Sequence, residues 1–200
     1  MKLKEDKCPL CGREVEVYGL CHECISLINK DSAFYYDIEG LDDLIVSSTY
    51  SGIMRRLIID FKFKGKLSYG EIISEIMTEK ILEKNLKDQV ITYVPMHRKK
   101  EGERGYNQSK ILAEKIARNV DLPCQDVFEK VIDTKFQVGL KKFDREENLR
   151  DAFEVKNYAE EIIIVDDVIT TGATISELTK IAKKAGIKKV TALIAATEIA

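Results

Sequence analysis

Long apolar runs are absent from this 200-residue chain. None approaches the roughly 20 residues that a membrane-spanning helix needs. The first seven residues, Met1 to Lys7, also lack the apolar centre of a secretory signal. Neither charge is in excess: 32 basic side chains stand against 34 acidic ones, a formal net charge of −2. No global field therefore steers nucleic acid to the chain, although a local basic patch is compatible with this balance. There is no internal repeat, no low-complexity tract and no Pro/Gly-rich linker. The length fits one medium domain with a small appendage. It is enough to bury a core without disulfides. These absences predict a cytoplasmic protein, whose cysteines stay reduced or bind metal.

The most informative stretch covers residues 161–175. Four apolar residues, Ile162 to Val165, read as a buried strand. Asp166 and Asp167 follow, then Val168, Ile169, Thr170, Thr171, Gly172, Ala173 and Thr174. A helical pattern takes over at Ile175, Leu178, Ile181 and Ala182, with Gly186 as its stop. A loop between a parallel strand's C-terminal end and a helix N-terminus is an anion site, because free N–H groups and the helix dipole point into it. Gly172 permits close approach of the backbone, and the threonines add hydroxyl donors. The two carboxylates would repel a phosphate, so they need hydroxyls or a cation. A ribose 5-phosphate offers both halves. The alternative is that Asp167 and Thr170 only cap a helix.

This stretch resembles the phosphoribosyl pyrophosphate (PRPP) motif of type I phosphoribosyltransferases. The resemblance implies that the acid pair contacts the ribose hydroxyls and that the threonine–glycine loop holds the 5-phosphate.

At the other end of the chain, Cys8 and Cys11 form one C-x-x-C pair and Cys21 and Cys24 a second. Two such knuckles face each other in four-thiolate zinc sites. Residues 1–30 are too few for a hydrophobic core, so bound metal would supply their folding energy. Disulfides, a redox pair and a metal-free relic are the alternatives. His22 reads as a surface residue and Cys124 as a buried structural thiol. The expected boundary divides a zinc-binding module, 1–30, from a phosphoribosyltransferase-like domain, 31–200.

From 41 to 85 the pattern is helical. Met54, Leu57, Ile58 and Phe61 share one face, which leaves Arg55, Arg56, Lys62 and Lys64 to solvent. Gly65 ends that helix, and a second runs over 68–84. Strands are expected at 89–94, 127–132, 152–155, 162–165 and 190–196, with a helix at 108–119. This alternation predicts an α/β fold, a mostly parallel five-stranded sheet flanked by helices. A basic loop after the first strand holds His97, Arg98, Lys99, Lys100 and Arg104. In a parallel sheet it shares the edge with 166–174, where ligands bind. Its cations would face a pyrophosphate whose charge grows as it leaves. The bland reading is an ordinary surface loop.

The four cysteines, the segment Val94 to Lys100, the segment Arg104 to Gln108 and the terminal acid-pair motif together resemble the ComF family. These are phosphoribosyltransferase-like proteins linked in some bacteria to natural competence. The resemblance covers essentially the whole chain and extends to residues 134–150, which include Gln137, Arg145 and Asn148. It implies a type I fold with a small zinc-ribbon-like module. Residues 134–150 would serve as a mobile lid; an exposed connecting hairpin is the alternative. It also implies substitution at the ribose anomeric carbon with release of pyrophosphate. Mg²⁺ would travel with PRPP, and Zn²⁺ would be structural. Asp166, Asp167, Arg98 and Lys99 would be the catalytic group, with His97 joining them in PRPP binding. No residue identifies the acceptor. The competing expectation is a non-catalytic PRPP-sensing adaptor or a single-stranded-DNA-processing factor, partnered by DNA or by competence and recombination proteins.

Overall fold

A computed structural model describes residues 7–28, 36–84, 86, 89–132 and 151–198. A parallel sheet runs through the centre, built from β1 (Asp43–Val46), β2 (Val90–Tyr93), β5 (Glu161–Ile169) and β6 (Lys189–Thr197) in the order β1-β6-β5-β2. Burial along β5 and β6 is nearly continuous, as expected of parallel strands covered on both faces. Alternation sorts their side chains. Ile163 and Val165 of β5 and Leu193 of β6 pack under α2 (Gly52–Lys64), α3 (Leu67–Lys84) and α5 (Gln108–Val120). Ile162, Ile164, Val190 and Ala192 face the other way, toward α6 (Ala173–Lys184).

The predicted five-stranded sheet needs correction. Residues 128–130 (β3) and Phe153–Val155 (β4) are not in the parallel sheet; they pair antiparallel as a separate two-stranded ladder. Their place beside β2 is taken by a single parallel bridge, Ile91 to Cys124. The fourth strand of the sheet, β1, lies in the stretch read as helical from residue 41. Its short apolar run Leu44 to Val46 fits either period, and pairing with Thr191 to Ile194 decides for strand.

Helix α2 buries Met54, Leu57, Ile58 and Phe61, the face expected from their spacing. It stops at Gly65. Helix α3 crosses it closely: Gly70 faces the fully buried Phe61 ring, and a Cβ there would lie 2.7 Å from a ring carbon. The basic loop after β2 contains a short helix, α4 (Arg98–Arg104), capped by His97, whose Nδ1 accepts from the Lys99 N–H at 3.3 Å. The cysteine segment, with its short helix α1 (His22–Ser26), does not stand apart. Leu20, Cys21, Cys24 and Ile28 share the apolar cluster of α3, and the Tyr69 hydroxyl donates to the Pro9 carbonyl at 3.4 Å. Among the described residues no helix is long and apolar enough to cross a membrane. The expected lid, 134–150, lies outside the described residues.

Candidate functional site

Strand β5 is longer than its apolar core suggests. It continues to Ile169 because β6 pairs with it as far as Thr197. Asp166 and Asp167 therefore lie inside the strand's C-terminal end, not beyond it. At Gly172 the backbone turns with φ of 79°, a left-handed value that a β-carbon strains. Helix α6 then begins, with Gly172 as its N-cap. The Thr171 Oγ1 accepts from the Ala173 N–H at 3.4 Å.

Asp166 and the segment Val168 to Ile175 line one cavity of ≈ 40 Å³ at the start of α6. A water's share of liquid is roughly 30 Å³, so the enclosed space is about one water in size and does not hold a whole nucleotide. Thr170, Thr171, Ala173 and Thr174 all border it. A larger groove of ≈ 620 Å³ runs along α3 between Tyr18, Leu82 and Asn119. Glu75, Glu79 and Glu83 line it without a lysine or arginine, which makes it hostile to phosphate despite its size.

The two carboxylates have different surroundings. Asp166 Oδ1 accepts from the Ser109 hydroxyl at 2.7 Å and from the Asp167 N–H at 2.9 Å. Burial and then the neighbouring Asp167 charge push Asp166 up to about 7, against the pull of Ser109 and Lys62. Asp167 is 6% exposed and its Oδ1 lies 2.8 Å from the Lys62 ammonium. Burial opposes the charge on Lys62, yet Asp167 outweighs it and raises the ammonium's pKa. Lys62 was expected on a solvated face. It is instead one-fifth exposed and reaches from α2 to the acid pair. Neither Lys62 nor Ser109 was predicted, because their relation to Asp166 and Asp167 exists only across the fold.

The segment Gly105 to Ser109 explains itself in this setting. Asn107 accepts from the Lys110 N–H at 3.3 Å, which caps α5, and donates to the Val94 carbonyl at 3.1 Å, which fixes it to the end of β2. Tyr106 stacks on Phe61 at 5.7 Å and donates to the Phe61 carbonyl. Ser109 then lies under Asp166. Three elements are tied at one point beneath the acid pair.

His97, Arg98 and Lys99 stand at the C-terminal end of β2, which neighbours β5 through the pair Tyr93 and Val165. They thus share the sheet edge with residues 166–174. Arg98 is 87% exposed and bonded to Glu129 at 2.8 Å.

In the N-terminal segment, Cys8, Cys11, Cys21 and Cys24 place their sulfurs within 4.8 Å of one another. Cys11 and Cys21 are 3.4 Å apart, and Cys24 and Cys11 3.7 Å. Four thiolates about 2.3 Å from a tetrahedral ion would stand roughly 3.8 Å apart. A disulfide would need about 2.05 Å, and all four thiols are free. Burial works against ionising Cys8, yet backbone N–H groups of Cys21, Leu10 and Cys11 bring it down to about 6. The cluster can hold a metal ion such as zinc. His22 is 77% exposed, as expected of a residue outside such a site. Cys124 is half-buried, and burial pushes its thiol up to about 11.

The chain is 30% identical over 188 residues to competence protein ComFC of Bacillus subtilis (strain 168), covering 84% of this chain and 68% of that protein. It is 26% identical over 194 residues to competence protein F of Haemophilus influenzae (strain ATCC 51907 / DSM 11121 / KW20 / Rd), covering 92% and 81%. It is 29% identical over 154 residues to the DNA utilization protein YhgH of Escherichia coli (strain K12), covering 72% and 66%. No protein-family model matches the chain. The similarity to ComFC covers most of the chain, and this chain belongs to the ComF family.

Proposed function

We propose that the chain binds PRPP together with Mg²⁺ at the C-terminal edge of its sheet and transfers the phosphoribosyl group to an acceptor, with release of pyrophosphate. The observation that carries this reading is one cavity bordered by a carboxylate, Asp166, and by the Thr170 to Thr174 loop at the start of α6. A carboxylate beside an anion site suits a ligand with hydroxyls next to a phosphate. The loop and helix N-terminus take the 5-phosphate. The acid pair accepts from the ribose hydroxyls. Mg²⁺ is held mainly by the pyrophosphate and those hydroxyls.

Arg98, Lys99 and His97 are the groups nearest in topology for the pyrophosphate. The Arg98 partner Glu129 is no obstacle, since an exposed ion pair is worth roughly 0–1 kcal/mol and exchanges readily for a stronger anion. The cysteine cluster holds one structural Zn²⁺, with residues 1–30 as its module and 31–200 as the transferase-like domain. The relatives' names, competence and DNA utilization proteins, support a role for this chain in DNA uptake or use, which we place in the cytoplasm.

A second reading, a non-catalytic PRPP sensor that handles single-stranded DNA, has its own observation. The Phe63 ring is 68% exposed and carries the Arg104 guanidinium 5.3 Å from its centroid. An exposed ring beside a cation is a platform for unpaired bases. Incubation with Mg²⁺–PRPP and a panel of nucleobases separates the two. Acceptor-dependent pyrophosphate release supports transfer. Salt-sensitive retention on single-stranded DNA, lost in Phe63→Ala and without any pyrophosphate release, supports the sensor.

A further inference from the structure

We propose that the groove along α3 is a docking site for a lysine- and arginine-bearing segment of a protein partner, anchored by one apolar side chain against Leu82. The groove shares no lining residue with the acid-pair cavity, and the proposed transfer reaction does not use it.

Three parts of the fold build this groove of ≈ 620 Å³. Tyr18 comes from the turn between the two cysteine pairs, Asn119 from the last turn of α5, and the rest from α3. Glu75, Glu79, Leu82 and Glu83 recur at three- and four-residue intervals, so they share one face of α3 over about 12 Å. Asn119 Nδ2 donates to the Thr78 hydroxyl at 3.2 Å, which ties α5 to that face.

Two observations of different kinds point to the occupant. The first is apolar surface. Leu82 is 63% exposed, and Val17, next to Tyr18, is 45% exposed. A concave surface that leaves such side chains in water gains by covering them. The second is charge. Burial, and then Glu79, Glu75 and Glu83, push the Tyr18 phenol up to about 12. All three carboxylates therefore act on one point of the groove. Lys80 pairs with Glu83 at 3.1 Å, but its own side chain is only 20% exposed and does not line the groove. The rim stays acidic.

Together these features choose among ligands. Nucleic acid is repelled by the glutamates. Among the described residues only the four cysteines converge closely enough to hold a metal ion, so the groove is not a divalent-cation site. A small polycation would match the glutamates and leave Leu82 in water. A peptide segment with basic residues on either side of a leucine or an aromatic satisfies both. Its anchor covers Leu82 and the Tyr18 ring, and its long basic stems lie over apolar surface with their charged heads at Glu75 and Glu83. An amphipathic helix presents such a pattern in the same intervals as α3 itself.

The probe is a short fluorescein-labelled helical peptide with lysines and arginines flanking a leucine stripe, followed by fluorescence anisotropy on the full chain. Two control peptides replace the leucines by serine or the basic residues by glutamate. The protein variants are Leu82→Ala, the pair Glu75→Gln with Glu83→Gln, and the pair Glu154→Gln with Glu160→Gln. The last removes the same charge outside the groove, and all of these side chains are exposed, so the fold should persist. The parent peptide should bind the wild type, less tightly as salt rises. Leu82→Ala and the groove pair should each lose roughly tenfold in affinity, whereas the outside pair stays within about twofold. Amide shifts at Tyr18, Thr78, Leu82 and Asn119 should move as the peptide is added.

Absence of binding by the wild type overturns the proposal, as does equal binding by the groove variants. An equal loss in the outside pair reduces the effect to non-specific attraction and also overturns it. Binding of the serine peptide as tightly as the parent contradicts the apolar anchor. Self-association of the wild type that disappears in Leu82→Ala gives the groove to a second copy of this chain instead of a partner.

Discussion

The phenol of Tyr36 donates to the carbonyl oxygen of Thr170 at 3.1 Å, and the phenol oxygen itself lies 2.5 Å from the Thr197 hydroxyl. Ile38, two residues on, sits 3.3 Å from where a Cβ on Gly172 would be. The chain entering the sheet from the cysteine side thus braces the outer wall of the phosphate loop. Tyr36→Phe keeps the ring and removes the brace. It is expected to cost about 0.5–1.5 kcal/mol in chemical denaturation. PRPP affinity should fall a few-fold, since loop order must then be gained on binding. Unchanged affinity and stability in the variant would leave Tyr36 without a role.

Gly70 tests the packing of α2 on α3. Alanine is favoured over glycine in a helix by roughly 1 kcal/mol. Here its Cβ would meet Phe61 ring carbons at 2.7 and 2.8 Å. That ring is fully buried and stacked on Tyr106, so it has nowhere to go. Overpacking of this kind costs about 1–3 kcal/mol, and the clash outweighs the propensity gain. Gly70→Ala should lower the melting temperature and leave PRPP affinity in the folded protein unchanged.

Elemental analysis of protein purified without chelator should find one zinc per chain. The cysteine segment shares its apolar cluster with α3, and Leu20 is fully buried there. Metal removal should therefore destabilise the whole protein, not only the first thirty residues. A chelator is expected to lower the melting temperature, and Cys21→Ser to do the same. Metal-free protein with an unaltered melt would contradict this.

Two carboxylates give stability opposite pH dependences. Asp60 is buried between Lys64 at 2.7 Å and Lys66 at 2.8 Å, and these hold it down to about 2. Its folded pKa lies below the unfolded one. The stabilisation is thus present above pH 4 and lost as pH falls toward 2. Asp166 is the reverse. Its folded pKa, about 7, lies above the unfolded value of 3.8, so it erodes stability as pH rises from 4 through 7. Asp166→Asn should flatten the decline and gain on the order of 1–4 kcal/mol at pH 8. A denaturation series from pH 3 to 8 on both proteins checks the sign.

Much of this site could be read directly from residue order. The apolar run ahead of Asp166, the small-residue loop and the periodic helix after it sit together in the chain, so local pattern reveals them. The doubled cysteine spacing is equally local. The helical face of Met54, Leu57, Ile58 and Phe61 follows from a 3.6-residue period. What escaped depends on distance in sequence. β1 is a four-residue strand whose identity comes from β6, nearly 150 positions away. β3 and β4 have strand character, but only the fold shows that they pair with each other and stand outside the parallel sheet. Lys62 carries no local sign that its partner is Asp167, because the α2 pattern places it on a solvent-facing side.

Titration calorimetry with PRPP and Mg²⁺ on the wild type and on the variant with both Asp166→Asn and Asp167→Asn tests the central claim most directly. The account predicts saturable heat in the wild type, and a loss of at least about tenfold in affinity in the variant, the value of one charge-assisted hydrogen bond. The variant's fold should persist, because the apolar run Ile162 to Val165 that anchors β5 is untouched. Equal affinity in the two proteins, or no heat in either, would contradict the assignment of residues 166–174 as a PRPP site.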